Sequence, residues 1–269
     1  MIYCVWYPSG GFGHFVNAVL TLHGDNFARP SKTLEFSANG DSHQLDLLVP
    51  KYLHEHWDNN IEFQSENNYS VLIDNGINNE SDKFKSTFPS ATIIKICYSD
   101  QSWPIVAHTM IVKAMQGSVE DQLPTSGWAT EELWARREKF FLFLRDHHLR
   151  SAWRPTDTAT ICVDEMLDYH TFFNALNLCV KTENFSKLWK KWYDLNFKYI
   201  APVNLAKSVI HGIRSNNCVD LRAVTDVWTQ SVIYYYIWLE YNFEVPHNDC
   251  SDWFINTNEI SIMLAKHGV

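Results

Sequence analysis

No two cysteines of this chain are spaced as CxxC, and the six present (Cys4, Cys97, Cys162, Cys179, Cys218, Cys250) are scattered along 269 residues. That spacing argues against a zinc ribbon or a disulfide framework. Three of the cysteines lie inside apolar strand-like runs, where a thiol acts as a small hydrophobe, so a reducing compartment follows. Basic residues are also scarce, 22 Lys and Arg against 31 Asp and Glu, for a formal net charge of −9. A protein that coats nucleic acid draws on clustered cations, and this composition argues against one. The short clusters Arg136, Arg137, Lys139 and Lys187, Lys190, Lys191 read as solvated helix faces. No uninterrupted apolar run reaches membrane-spanning length. The nearest, Ser231 to Leu239, is short, is followed by Glu240 and reads as a buried helix. The N-terminus enters a strand directly, without a basic leader or cleavage site. A cytoplasmic protein with no membrane and no nucleic-acid partner is the expectation. Internal repeats and low-complexity segments are lacking, and 46% hydrophobic with 20% charged residues is close to the globular average.

What the chain has in quantity is aromatic side chains, 11 Trp, 12 Tyr and 16 Phe. They line a pocket or an interface, or they fill cores. The length suffices for one substantial core, and we read residues 1–269 as a single α/β domain in which 200–269 form a mostly helical extension.

The first twenty residues organise the rest. An apolar run, Ile2 to Tyr7, meets a glycine turn, Ser9 to Gly13, and then Phe15, Val16, Val19, Leu20 and Leu22 recur at helical spacing. That is strand, tight loop, helix. Loop amides and the first helical N–H groups have no intrahelical acceptor, the helix dipole places positive charge there, and glycines let a ligand approach the backbone. Phosphate or sulfate is the natural occupant. The alternative is an ordinary strand-to-helix turn in which the glycines serve backbone geometry.

Further strands are expected at Tyr69–Asn75, Ala91–Tyr98 and Thr158–Asp164, with a short one at Thr33–Phe36. Helices are expected from about Pro104 to Met115, Thr130 to His148, Tyr169 to Leu178, Asn184 to Tyr199, Val203 to Ile213, Leu221 to Tyr241 and in a terminal segment to Ala265. Gly117 to Gly127 reads as a loop. This alternation implies a mainly parallel sheet covered on both faces, whose ligands sit beyond the carboxyl ends of the strands. Ser9 to His14, Asp74 to Asn75, Tyr98 to Ser102 and Asp164 to Glu165 should therefore converge. His54 and His56, with His43 just before them, are two apart and do not share a helix face, so no metal site is expected.

Four segments in this order resemble the sulfotransferase family, which shares the P-loop kinase fold. Tyr7-Pro-Ser-Gly-Gly-Phe-Gly-His-Phe15 resembles the family's loop around the phosphosulfate end of 3′-phosphoadenosine 5′-phosphosulfate, and Val71 to Asn75 resembles its second strand. Ser90 to Asp100, continuing into Val106-Ala-His108, is similar to the segment that binds the donor's 3′-phosphate, and Ala159 to Leu167 to the strand ending in Tyr-Glu-Asp-Leu. Roughly residues 1–200 are covered.

The resemblance implies a transferase that moves a sulfuryl group from this donor to a hydroxyl of a small molecule or glycan. The donor would lie against Ser9, Gly10, Gly11, Phe12, Gly13, His14, Phe15, Tyr98, Ser99 and Ser102. Where the family carries a loop Lys or Arg this chain has Ser9, and Tyr98 stands in place of an Arg. His14 and Asp74 are then the candidate catalytic groups, His14 toward the leaving phosphate or as a base. Ser102 or His108 would replace a family Ser, and Glu165 reads as a brace for its loop. Two alternatives stay open. One is a nucleotide-sugar glycosyltransferase, since a glycine-rich opening also suits a diphosphate. The other is a non-catalytic, degenerate P-loop-like protein whose aromatic-rich tail mediates assembly. Self-association is open too.

Overall fold

A computed structural model describes residues 1–8, 10–27, 67–74, 86, 88–115, 137–150, 161–176, 180, 185–246 and 253–269. The expectations for Ser9, Thr33–Phe36, the histidines 43, 54 and 56, Asn75 and Gly117–Gly127 fall outside them. The chain divides into two compact units, Met1–Ser99 with Trp153–Phe197, and Asp100–Ala152 with Lys198–Val269.

The first unit is built on four strands, β1 (Ile2–Tyr7), β2 (Tyr69–Asp74), β3 (Thr92–Cys97) and β4 (Ile161–Cys162). All of their pairings are parallel, and the order is β2-β1-β3-β4. This is an α/β architecture of the expected kind. Register places Val5 between Leu72 and Ile94, and Trp6 between Ile73 and Lys95. Val5, Leu72, Ile94 and Ile96 are buried together on one face. Cys4 centres a second cluster with Ile2, Trp6, Phe88, Ala91 and Ile93. Both faces are covered, as the apolar content of parallel strands requires. Helix α1 (Gly13–His23) follows β1 and is buried from Gly13 through Thr21.

β4 ends at Cys162, before the Asp164 expected, because Val163 and Asp164 already belong to helix α4 (Val163–Met166), and Thr158–Thr160 of the expected strand lie outside the described residues. The cause is local. Cys162 N–H donates to Glu165 Oε2 at 2.7 Å, the back-bond of a capping box, which starts a helix where alternation alone continues the strand. Helix α5 (Tyr169–Ala175) is opened by Asp168, whose side chain accepts from Thr171 N–H at 2.8 Å.

In the second unit, α2 (Trp103–Met115) and α3 (Arg137–Arg150) are tied by Trp103 Nε1, which donates to the Leu144 carbonyl at 2.9 Å. Helix α7 (Val227–Tyr241) is buried continuously from Trp228 to Ile237. It starts six residues later than Leu221, where the helix was expected, since Asp226 caps it through Thr229 N–H at 2.7 Å and Leu221 to Val224 form a turn. Tyr235 donates its hydroxyl proton to the Asp100 carbonyl at 3.0 Å. Helix α8 (Thr257–Lys266) is capped by Asn256.

Two helices were expected across Tyr199 to Val203, and one is found. Helix α6 (Phe185–Ser215) runs 31 residues through Pro202. An interior proline removes one helical hydrogen bond and costs about 3 kcal/mol. Tyr199, Ile200, Val203, Ala206, Val209 and Ile210 are all buried along that stretch, and their burial, at about 1.5–3 kcal/mol per large side chain, outweighs the loss.

His108 on α2 is enclosed by the Tyr199 ring at 4.7 Å and the Trp228 ring at 4.5 Å. Burial, reinforced by the charge of Lys198, pushes its pKa from 6.5 down to about 3. The unfolded chain therefore takes up a proton that the folded chain refuses. The stability linked to His108 is complete above pH 6.5 and is lost as the pH falls toward 3, by up to about 1.4 kcal/mol per pH unit. Denaturant titrations of the parent and of His108→Gln between pH 4 and 7 should show a shallower pH dependence in the variant. Parallel curves would contradict this environment.

Candidate functional site at the carboxyl edge of the sheet

The junction between β1 and α1 is built from three backbone features. Gly11 N–H donates to the Pro8 carbonyl at 2.7 Å, closing a four-residue turn whose third residue, Gly10, has φ 78°. Glycine supplies the positive φ at that position without strain. Phe12 then adopts the left-handed region at φ 60° and ψ 27°, an uncommon conformation for a residue with a side chain. It occupies the N-cap of α1, and no side chain caps that helix. Phe15 and Val16 N–H groups return to the Phe12 carbonyl. Last, α1 begins against the Tyr7 ring so closely that a Cβ on Gly13 would stand 2.1 Å from a ring carbon.

Side chains lock this backbone in place. Tyr7 Oη and His14 Nε2 are hydrogen-bonded at 3.0 Å, with the rings edge-on at 5.6 Å. His14 is only 4% exposed. On the helix's other side the Trp192 indole stacks on Phe15 at 4.4 Å and 7°, and stands edge-on to Phe12 at 5.2 Å. Phe172 completes the packing against Phe15 at 5.6 Å.

Register sets the rest of the edge. Asp74 ends β2 directly beside Tyr7. Beyond β3, Tyr98 is buried and Ser99 N–H donates to Asp164 Oδ2 at 3.3 Å. Asp164 also accepts from Cys162 Sγ at 3.1 Å. The carboxyl ends of all four strands thus bring Gly10 to His14, Asp74, Tyr98 to Ser99 and Asp164 to Glu165 to one edge of the sheet, the convergence expected of a parallel arrangement. Glu165, held on Cys162 N–H, braces its loop. Ser102 belongs to the second unit, where it is fully buried and its carbonyl accepts from Ile105 N–H at 3.0 Å as α2 begins. Lys95 lies with its Nζ 5.1 Å from the Trp6 ring centroid, on the sheet face opposite Tyr7.

Chemically, the edge offers main-chain N–H groups at an uncapped helix start, one imidazole held by a phenol, and a carboxylate residue at the end of the neighbouring strand. Among the described residues no group of three or more His, Cys, Asp or Glu side chains is placed to hold a metal ion. No described helix is long and apolar enough to cross a membrane. Tyr7 and Trp192 are parts of the site that sequence reasoning did not single out. Tyr7 reads there as the end of a strand, and nothing local in the sequence around Trp192 ties it to a loop so far upstream.

Comparison of the chain with protein-family models, with curated proteins and with solved structures finds no match.

The close approach at Gly13 and the bond from Tyr7 are separable. Gly13→Ala should cost about 1–3 kcal/mol or more by overpacking against the Tyr7 ring. Tyr7→Phe keeps the ring and should cost about 1–3 kcal/mol by stripping a buried His14 nitrogen of its partner. Urea unfolding measures both, and a loss below about 0.5 kcal/mol for Gly13→Ala would contradict the contact.

Proposed function

We propose that this protein is sulfotransferase-like, binding 3′-phosphoadenosine 5′-phosphosulfate or its product at the β1–α1 junction and passing the sulfuryl group to a hydroxyl of a small molecule or glycan. One observation carries the reading. The start of α1 lacks a side-chain cap, and it lies at the carboxyl edge of a parallel sheet where the strand order reverses, with β2 on one side of β1 and β3 on the other. Ligands of open α/β sheets bind at that reversal, and a helix start there favours an anion through its N–H groups and about half a unit of positive dipole charge.

In the proposed reaction the sulfur–oxygen bond to the donor's 5′-phosphate breaks as the acceptor oxygen bonds to sulfur. The acceptor's proton passes to a base, and 3′-phosphoadenosine 5′-phosphate leaves. His14 and Asp74 are the residues assigned to proton transfer and to the leaving oxygen, and the backbone of Gly10 to Phe15 with Tyr98 and Ser99 to the donor. The positioned main chain takes the place of a loop cation. A cytoplasmic location accords with the free thiols of Cys4, Cys97, Cys162 and Cys218.

A second reading is favoured by the burial of Gly10 to His14 and by the tie between His14 and Tyr7. It is a protein that holds the nucleotide without turnover, the imidazole serving to fix the loop. Isothermal titration with 3′-phosphoadenosine 5′-phosphate decides first. Saturable binding at sub-millimolar ligand is expected, stronger than for a uridine or guanosine diphosphate. No heat at millimolar ligand would overturn both readings, and preference for the nucleoside diphosphate would turn the assignment to a glycosyltransferase. Sulfuryl transfer that falls at least tenfold in His14→Gln, with nucleotide affinity kept, selects the enzyme over the binding protein.

A further inference from the structure

Two thiols meet at the same edge of the sheet, on the face away from Tyr7, and no step of the proposed reaction uses them. Cys97 ends β3, Cys162 ends β4, and they are direct register partners. Paired residues of parallel strands point to the same face, and neighbouring strands lie about 4.8 Å apart. That separation falls inside the Cα range of about 4.4–6.8 Å that a disulfide bridges. The Cys162 thiol donates to Asp164 Oδ2 at 3.1 Å. Cys97 is 3% exposed, Cys162 is half-buried, and both are free thiols. Lys95, two residues before Cys97, shares its face.

We propose that Cys97 and Cys162 form a reversible thiol–disulfide site, oxidised by hydrogen peroxide at Cys97 and closed by the half-buried Cys162. The steps balance. Peroxide transfers one oxygen to the Cys97 sulfur, giving a sulfenic acid and one water. The Cys162 sulfur then attacks that sulfur, its proton leaves with the hydroxyl as a second water, and the S–S bond forms. Two electrons pass from the thiol pair to the peroxide.

The surroundings favour oxidation at Cys97. Hydrogen bonding from Cys162, with Lys95 assisting, draws the Cys97 ionisation below that of an ordinary thiol against the opposing effect of burial. The same bond, burial and the Asp164 carboxylate push Cys162 up. Cys97 is thus the better thiolate of the two and the one that attacks peroxide. Oxidation also withdraws the Cys162 S–H from Asp164, the carboxylate that holds Ser99 N–H, and joins β3 to β4 covalently.

The test is a peptide map of the folded full-length chain after exposure to hydrogen peroxide and alkylation. The expected product is a cross-linked pair carrying Cys97 and Cys162, lighter by two hydrogens and restored by dithiothreitol, with Cys4 and Cys218 still alkylated. Cys97→Ser and Cys162→Ser should each abolish it, circular dichroism reporting that the variants fold. The parent map decides even if a variant does not fold. Accumulation of sulfinic acid at either thiol with the other left alkylatable would overturn the proposal, as would a cross-link joining either thiol to another cysteine.

Discussion

Everything at the carboxyl edge of the sheet depends on how tightly α1 is seated against the Tyr7 ring. Gly13 has no Cβ, so the ring packs where a side chain would stand, and the phenol reaches past it to His14 Nε2. This contact sets where the helix starts. The turn before it needs Gly10 at positive φ and Phe12 in the left-handed region. Such a conformation at Phe12 costs of order 1–3 kcal/mol and is tolerated because the surroundings hold it, here with Trp192 against the Phe12 and Phe15 rings. The strain leaves the helix start without a side-chain cap at the reversal of strand order, where an anion site is expected.

The same edge divides its polar groups between structure and chemistry. Glu165 is spent on Cys162 N–H and Asp164 on Ser99 N–H and the Cys162 thiol, so both carboxylates organise backbone. His14 is anchored rather than presented to solvent, and the proposed activity therefore leans on main-chain N–H groups and dipole more than on mobile cations. The thiol pair lies on the opposite face of the sheet and is linked to the proposed transfer site through Asp164, which accepts from both the Cys162 thiol and Ser99 N–H.

Much of the first unit is legible in the sequence because its signals are strong and local. Ile2–Tyr7, Tyr69–Asp74 and Thr92–Cys97 are apolar runs of strand length, and the glycine turn followed by 3.6-residue periodicity marks α1. Other features are legible only with capping taken into account. The glutamate three residues after Cys162 signals a helix start, as Asp226 before Thr229 does for α7, and each outweighs the continuing apolar pattern. Pro202 misleads because its cost is local, whereas the burial that overrides it comes from partners distant in sequence. The bond between Tyr7 and His14, the indole of Trp192 and the pairing of Cys97 with Cys162 arise from sheet order and helix packing, which no residue spacing encodes.

The central claim is that the N–H groups opening α1 hold an anionic group of a nucleotide. An amide-resolved nuclear magnetic resonance titration with 3′-phosphoadenosine 5′-phosphate addresses it directly. The account predicts that the Phe12, Gly13 and His14 amides show the largest downfield shifts and saturate together. Saturable shifts confined to other segments, with these three amides unmoved, would contradict it.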